Sequence, residues 1–204
     1  MKHRDNLMGL VALQPDFIGF IFYPKSPRYM VDILSQDDLA LMPKTIKKVG
    51  VFVNEDISVV RNQARKFDLQ LLQLHGKESP EYCMELKKEF GVIKAFSMSE
   101  EFDFGTLDQH EGKVDYFLFD TKTPLYGGSG VHFNWNILKK FKSETPFFLS
   151  GGIGVEDIER ITQLELKGLF ALDVNSRVEI EPGLKNLELV KEVKHKLEIK
   201  VKEA

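Results

Sequence analysis

Short apolar runs alternate with longer segments of helical period from one end of this chain to the other. Seven of the runs, at residues 18–22, 49–53, 71–75, 92–96, 116–120, 147–151 and 169–173, are rich in β-branched and aromatic side chains. Their apolarity is nearly continuous, the pattern of parallel strands covered on both faces. Between them, residues 35–47, 56–67, 79–90, 134–141 and 155–164 are compatible with helices, and residues 4–13 form a further candidate ahead of the first run. Ser79, Pro80 and Glu81 supply an N-cap, a first-turn proline and an acid favoured by the helix dipole, with Gly91 at the far end. Residues 186–201 close the chain with Leu187, Val190, Val193 and Leu197 on one stripe, a helix that docks through that face. Residues 97–112 are less regular and predict only a short helix. The alternation predicts an α/β domain with a parallel sheet, either a barrel or an open sheet.

Composition narrows the class without naming a function. A chain of 204 residues suits one core better than two, so a single domain spanning residues 1–204 is expected. The net charge of -3 offers no general attraction to nucleic acid or an anionic membrane, so any phosphate contact must be local. The one cysteine, Cys83, has no internal disulfide partner, and no apolar run approaches the roughly 20 residues that span a bilayer. A soluble, cytoplasmic protein with neither nucleic-acid nor membrane partners is expected.

Polar residues gather where the predicted strands end. In order these are Arg28 in Pro24-Lys-Ser-Pro-Arg-Tyr29, Asn54, His75, Asp120, Ser150-Gly151-Gly152 and Asp173-Val-Asn-Ser176. Each alone has an ordinary structural reading: a surface arginine, a backbone-bonded histidine, a turn acceptor. Their recurrence at the same end of successive strands points to a site, because parallel α/β sheets assemble ligands there. The glycine pair after the sixth run and the serine-bearing loop after the seventh suit a phosphate, whose oxygens exposed backbone N–H groups can meet. Gly127-Gly-Ser-Gly130 reads either as a flexible connection or as a lid over the ligand, and the Asp120-Thr121-Lys122 segment just before it favours the lid.

Taken together, Gly19-Phe-Ile-Phe-Tyr-Pro-Lys-Ser-Pro-Arg-Tyr29, Val49-Gly-Val-Phe-Val-Asn54, Gln73-Leu-His-Gly76, Phe119-Asp-Thr121 with Tyr126-Gly-Gly-Ser-Gly130, Leu149-Ser-Gly-Gly-Ile153 and Asp173-Val-Asn-Ser176 resemble phosphoribosylanthranilate isomerase over almost the whole chain. The resemblance implies a TIM (β/α)8 barrel and the Amadori rearrangement of N-(5-phosphoribosyl)anthranilate to 1-(2-carboxyphenylamino)-1-deoxyribulose 5-phosphate in tryptophan biosynthesis. It implies no cofactor, no metal, a small phosphorylated substrate, and a monomer or homodimer. By the same motif match Asp120 would be the general acid, Arg28 would hold the anthranilate carboxylate, and Gly151, Gly152 and Ser176 would hold the phosphate. His75 and Asp173 would lie near the substrate. Burial at a strand end flanked by Phe117 and Phe119 is expected to supply the raised pKa that Asp120 needs as an acid.

The chain departs from the family at one point. Family members open with a strand ending in Lys-(Ile/Val)-Cys-Gly, whose cysteine is the general base, and no segment here reads so. Cys83 lies in a helical segment and is expected to be a packing residue. His3 would have no strand to hold it as a substitute. The expectation is a barrel missing its first strand, with Met1 matching the methionine after Cys-Gly and translation beginning some ten residues upstream of the assigned start. Loss of roughly three core-facing side chains at about 1.5 to 3 kcal/mol each, and two bared strand edges, should make the chain as written fold poorly and isomerise slowly. Two other readings compete. A barrel that binds the phosphorylated ligand without turning it over remains open, whereas an indole-glycerol-phosphate synthase relative would need a strand-end lysine and paired glutamates that are not found.

Overall fold

The computed structural model describes residues 1–121 and 133–203, with side chains described to residue 199. All seven apolar runs are strands: β1 (Phe17–Ile21), β2 (Lys47–Phe52), β3 (Leu71–Leu74), β4 (Gly91–Met98), β5 (Tyr116–Thr121), β6 (Phe147–Leu149) and β7 (Leu169–Leu172). They pair in parallel in the order of the sequence. The sheet is curled, since the ring of Phe17 on β1 lies 5.3 Å from Phe148 on β6 and 6.1 Å from Phe170 on β7. First and last strands thus face each other across the interior, as in a TIM barrel. Among the described residues each of them pairs on one side only.

The near-continuous apolarity of the strands has two destinations. One alternate set, Val49, Leu71, Ile93, Ala95, Leu118 and Phe148, fills the inside of the curl. The other set, including Phe20, Phe52, Leu72, Phe117, Phe119 and Phe147, packs outward against the helices in the larger core. Phe119 meets Phe147 at 5.1 Å and Phe141 at 5.4 Å, in edge-on or tilted contacts that aromatic rings favour. Tyr116, Phe148 and Phe170 close the floor, with Tyr116 4.8 Å from Phe170.

The surrounding helices follow the capping signals. In α1 (Arg4–Ala12), Gly9 permits close packing on the last helix, because a Cβ there would fall 2.4 Å from Leu187 Cδ1. The helix expected at residues 35–47 is confined to α2 (Gln36–Ala40), because Pro43 follows and β2 already starts at Lys47. Asp56 caps α3 (Ile57–Lys66), and Ser79 caps α4 (Pro80–Lys87) by accepting the Tyr82 N–H at 3.2 Å. Residues Phe104–His110 and Trp135–Lys140 wind as 3-10 turns, and Val155–Asp157 makes another before α5 (Ile158–Gln163). The chain closes with α6 (Leu187–Glu203). An unpredicted hairpin intervenes, β8 (Glu179–Glu181) and β9 (Leu184–Lys185), turning at Pro182 and Gly183 with φ of +91° at the glycine.

Candidate active site

Alternation along β5 decides where its acid points. Phe117 and Phe119 are fully buried in the outer core, so Asp120 faces the mouth of the curl. The two phenylalanines expected to flank the carboxyl therefore lie on the opposite face of the strand. Its actual neighbour is His75 from the end of β3, with Nε2 3.3 Å from Asp120 Oδ2. The other ring nitrogen, Nδ1, is 2.8 Å from Nε2 of Gln73. When the Gln73 amide donates to Nδ1, the ring proton sits on Nε2 and points at Asp120. Asp120 Oδ1 accepts the Thr121 N–H at 2.8 Å, which fixes the carboxylate at the strand end. Gln73 was absent from the candidate residues, although its spacing of two from His75 on a strand places both on one face.

β6 and β7 deliver the next groups. Ser150 and Asp173 are held by N–H bonds to Phe119 O and Leu149 O, each 2.8 Å, and Ser150 Oγ donates to Asp173 Oδ2 at 3.1 Å. Burial pushes the Asp173 carboxyl up from the ordinary aspartate value, and the negative charge of Asp120 adds to the rise. The mouth thus holds two neighbouring carboxyls, one of them biased toward its neutral, proton-carrying form. Gly151 and Gly152 have φ of +100° and +71°, and a Cβ on Gly151 would fall 2.2 Å from Thr121 Oγ1. Glycine is required at Gly151 on both counts. Ser176 opens the 3-10 turn Ser176–Val178 beyond β7.

Across the β1 side, the loop after the strand folds back to bridge Ile21 with Tyr29, and brings in Arg28. Arg28 is buried against Glu179 of β8: Nε lies 3.1 and 2.9 Å from the two carboxylate oxygens, and Nη2 lies 2.6 Å from Oε2. Lys185 of β9 donates to Glu179 Oε1 at 3.2 Å and to the Asn175 carbonyl and side-chain oxygens at 3.1 and 2.6 Å. Neither Glu179 nor Lys185 was among the candidates. The Pro182-Gly183 pair signals their hairpin turn, but nothing local signals their contact with Arg28.

Between the ends of β3 and β4 and the start of α4 is a cavity of about 350 Å³, which has His75 and Ser97 in its lining. Its wall contains the ion pair of Lys94 and Glu78, 3.0 Å apart, with side chains only 4% and 2% exposed. Lys94 also donates to the carbonyls of Leu74, Gly76 and Ala95, while Glu78 accepts from the Asn54 and Gly76 N–H groups. Asn54 accepts the Lys77 N–H through its side chain, so this strand-end residue serves the loop and holds the end of β3 in place. Cys83 is fully buried on α4, where burial pushes its thiol up to about 11, so it is a packing residue away from the mouth. His3 lies on the outer surface 3.8 Å from Glu181. The Gly127 to Gly130 loop and Lys122 lie outside the described residues. Among the described residues, no group of three or more His, Cys, Asp or Glu is placed to hold a metal, and no helix is long and apolar enough to cross a membrane.

The sequence model described as N-(5′-phosphoribosyl)anthranilate (PRA) isomerase matches residues 2–196. The chain belongs to the PRA isomerase family. A relative named N-(5′-phosphoribosyl)anthranilate isomerase from Parabacteroides distasonis is 44% identical over 196 residues, covering 94% of this chain and 87% of the relative. The crystal structure of phosphoribosyl anthranilate isomerase from Thermotoga maritima superposes with a TM-score of 0.84 at 33% identity, over 97% of this chain and 95% of that one. A further family structure, solved in complex with reduced 1-(o-carboxyphenylamino)-1-deoxyribulose 5-phosphate, gives a TM-score of 0.78 at 30% identity, over 97% and 95% of the two chains. For a PRA isomerase, the mouth described above gathers Arg28, His75, Asp120, Asp173 and the two glycine- and serine-bearing loops at the carboxyl ends of β1, β3, β5, β6 and β7.

Proposed function

We propose that this chain binds N-(5-phosphoribosyl)anthranilate in the mouth of the barrel and serves its Amadori rearrangement to 1-(2-carboxyphenylamino)-1-deoxyribulose 5-phosphate, an isomerisation in L-tryptophan biosynthesis. The observation that carries the reading is the pairing of Asp120 with His75 at 3.3 Å in a chain of this family. Asp120 is the general acid: it hands its proton to the furanose oxygen as the C1′–O bond breaks, and the ring opens to a Schiff base. His75, held by Gln73, lies beside that carboxyl and the substrate. The proton on C2′ then leaves to a base, and the enolamine tautomerises to the ketone, gaining a proton at C1′ as the enol hydroxyl gives one up. Arg28 takes the anthranilate carboxylate, and Gly151, Gly152 and Ser176 take the phosphate at the opposite end of the ligand. Asp173 sits under the ribose between them.

The base is the element that these residues do not supply. The resemblance assigns it to a cysteine on a strand ending in Lys-(Ile/Val)-Cys-Gly, whereas the thiol of Cys83 is buried on α4. β1 and β7 are the two ends of the strand order and do not pair with each other among the described residues. We therefore assign ligand binding to the residues in hand, and turnover to a barrel in which such a strand lies between those two ends. The finer reading is of a cytoplasmic enzyme that works as a monomer or homodimer on a small phosphorylated substrate.

The test follows the loss of substrate fluorescence with this chain and with one extended before Met1 by a strand ending in Lys-Val-Cys-Gly. The extended chain should turn over at least about a hundredfold faster, the scale of general base catalysis. Equal rates would remove the cysteine strand from the mechanism. In the extended chain, Asp120→Asn should reduce kcat by about two to four orders of magnitude; a near-full rate would take the acid role away from Asp120.

A further inference from the structure

The guanidinium of Arg28 has two edges that match a carboxylate: the side edge formed by Nε and Nη2, and the end edge formed by Nη1 and Nη2. Glu179 occupies the side edge, with contacts of 2.9 Å from Nε and 2.6 Å from Nη2 to the same oxygen. The end edge makes no hydrogen bond among the described residues. A planar group gripped along one side cannot rotate about its last bonds, so the remaining fork has a fixed direction.

Charge points the same way. Arg28 and Lys185 place two cations against the single carboxylate of Glu179, with side chains 11%, 10% and 4% exposed. The neighbouring Met1 amino group is pushed down to about 5 by burial, and so is neutral near neutral pH. Asp173 is within electrostatic reach of Lys185, and burial raises the Asp173 carboxyl and lowers the Lys185 ammonium from their ordinary values. Within ion-pair distance, the two basic side chains share the one carboxylate of Glu179. The cluster's other connections are complete: the Gly183 N–H donates to Glu179 at 3.0 Å, and Lys185 grips Asn175 in the loop next to Ser176.

We infer that Glu179 is a positioning residue for substrate recognition: it holds the side edge of Arg28 so that the end edge receives the anthranilate carboxylate. Lys185 joins this clamp to the loop after β7, so the carboxylate and phosphate ends of the ligand are set by one hairpin. The inference rests on Arg28 being the carboxylate clamp.

The experiment measures binding, so it needs no turnover. Two ligands are titrated by calorimetry into the full chain: reduced 1-(2-carboxyphenylamino)-1-deoxyribulose 5-phosphate, and its phenylamino counterpart lacking the carboxylate. The parent chain should prefer the first by about tenfold to a hundredfold, the scale of a charge-assisted bidentate pair. Glu179→Gln should abolish most of that preference while changing affinity for the phenylamino ligand by less than about threefold, and Glu179→Asp should restore part of it. A preference unchanged in Glu179→Gln, or an equal loss for both ligands, would overturn the inference. A preference that survives Arg28→Ala would instead overturn the assignment of Arg28 itself. If Glu179→Gln binds neither ligand because two cations are left buried, the double variant Glu179→Gln/Lys185→Gln is read by the same criterion.

Discussion

Two buried ion-pair clusters flank the mouth of this barrel, and they differ in what is left over. At β3 and β4, Lys94 faces Glu78 and three main-chain carbonyls, while Glu78 takes two main-chain N–H groups. Charges balance and donors are satisfied, so the cluster can only hold the strand ends together. Beside β1 and β7, two basic side chains share one carboxylate, and the end edge of the Arg28 guanidinium makes no hydrogen bond among the described residues. Burial and ion pairing are common to both. A satisfied buried pair is scaffold, whereas a buried pair with an unused donor edge is the arrangement on which the inferred carboxylate clamp rests.

The largest effect should come from breaking the closed cluster. Lys94→Met leaves the Glu78 carboxylate buried without a counter-ion and should destabilise the fold by about 3 to 5 kcal/mol in urea denaturation, while Lys94→Met with Glu78→Met should recover most of the loss. A single variant no worse than the double would end the claim that this cluster is balanced. Arg28→Met should cost less, about 1 to 2 kcal/mol, because Lys185 still faces Glu179; an equal cost at the two sites would erase the distinction between them. Gly151→Ala, with its φ of +100° and its contact with Thr121, should cost about 1 to 3 kcal/mol and weaken phosphate-bearing ligands.

A smaller effect should be spread over pH. Burial alone would raise Glu179, but the hydrogen bond from Arg28 and the charge of Lys185 outweigh it and hold the carboxyl below its ordinary value. The folded state thus binds this proton less readily than the unfolded chain, so the contribution is present above the usual glutamate range and is lost as pH falls through the lowered value. Asp173 runs the other way: its contribution is full below the ordinary aspartate value and is lost as pH rises through its elevated one. Denaturation followed over roughly pH 3 to 7 should show Glu179→Gln flattening the acid limb and Asp173→Asn flattening the opposing slope. The smallest effect belongs to the exposed pair of Arg177 and Glu156, where Arg177→Gln should change stability by no more than about 0.5 kcal/mol. A larger loss would mean that exposed and buried pairs near the mouth are coupled.

The seven strands were legible because a strand buried on both faces needs a run of apolar side chains, and that demand is local. The α3 and α4 boundaries were legible for the same reason, through Asp56, Ser79 and Pro80. Segments 35–47, 104–110 and 134–141 were less so: their composition permits a helix, while the short spans between strands wind only a turn or a 3-10 piece. Arg28, His75, Asp120, Asp173 and the two loops stood out by recurring at strand ends. Gln73 could have been found from its spacing to His75. Glu179 could not, since it meets Arg28 across 151 positions of sequence, in a hairpin of five apolar and polar residues around Pro182-Gly183 that carries no strand signal of its own.

The chain by itself determined the parallel α/β class, the family, and which residues stand at the strand ends, because periodicity, caps and motifs are properties of neighbours in sequence. Only the tertiary structure decided that Phe117 and Phe119 turn away from Asp120 while His75 turns toward it, and that Arg28 arrives already gripped along one edge. The reason is geometric: strand pleat and barrel curl assign each side chain a face, and charges distant in sequence acquire their meaning only when the curl sets them within hydrogen-bond reach.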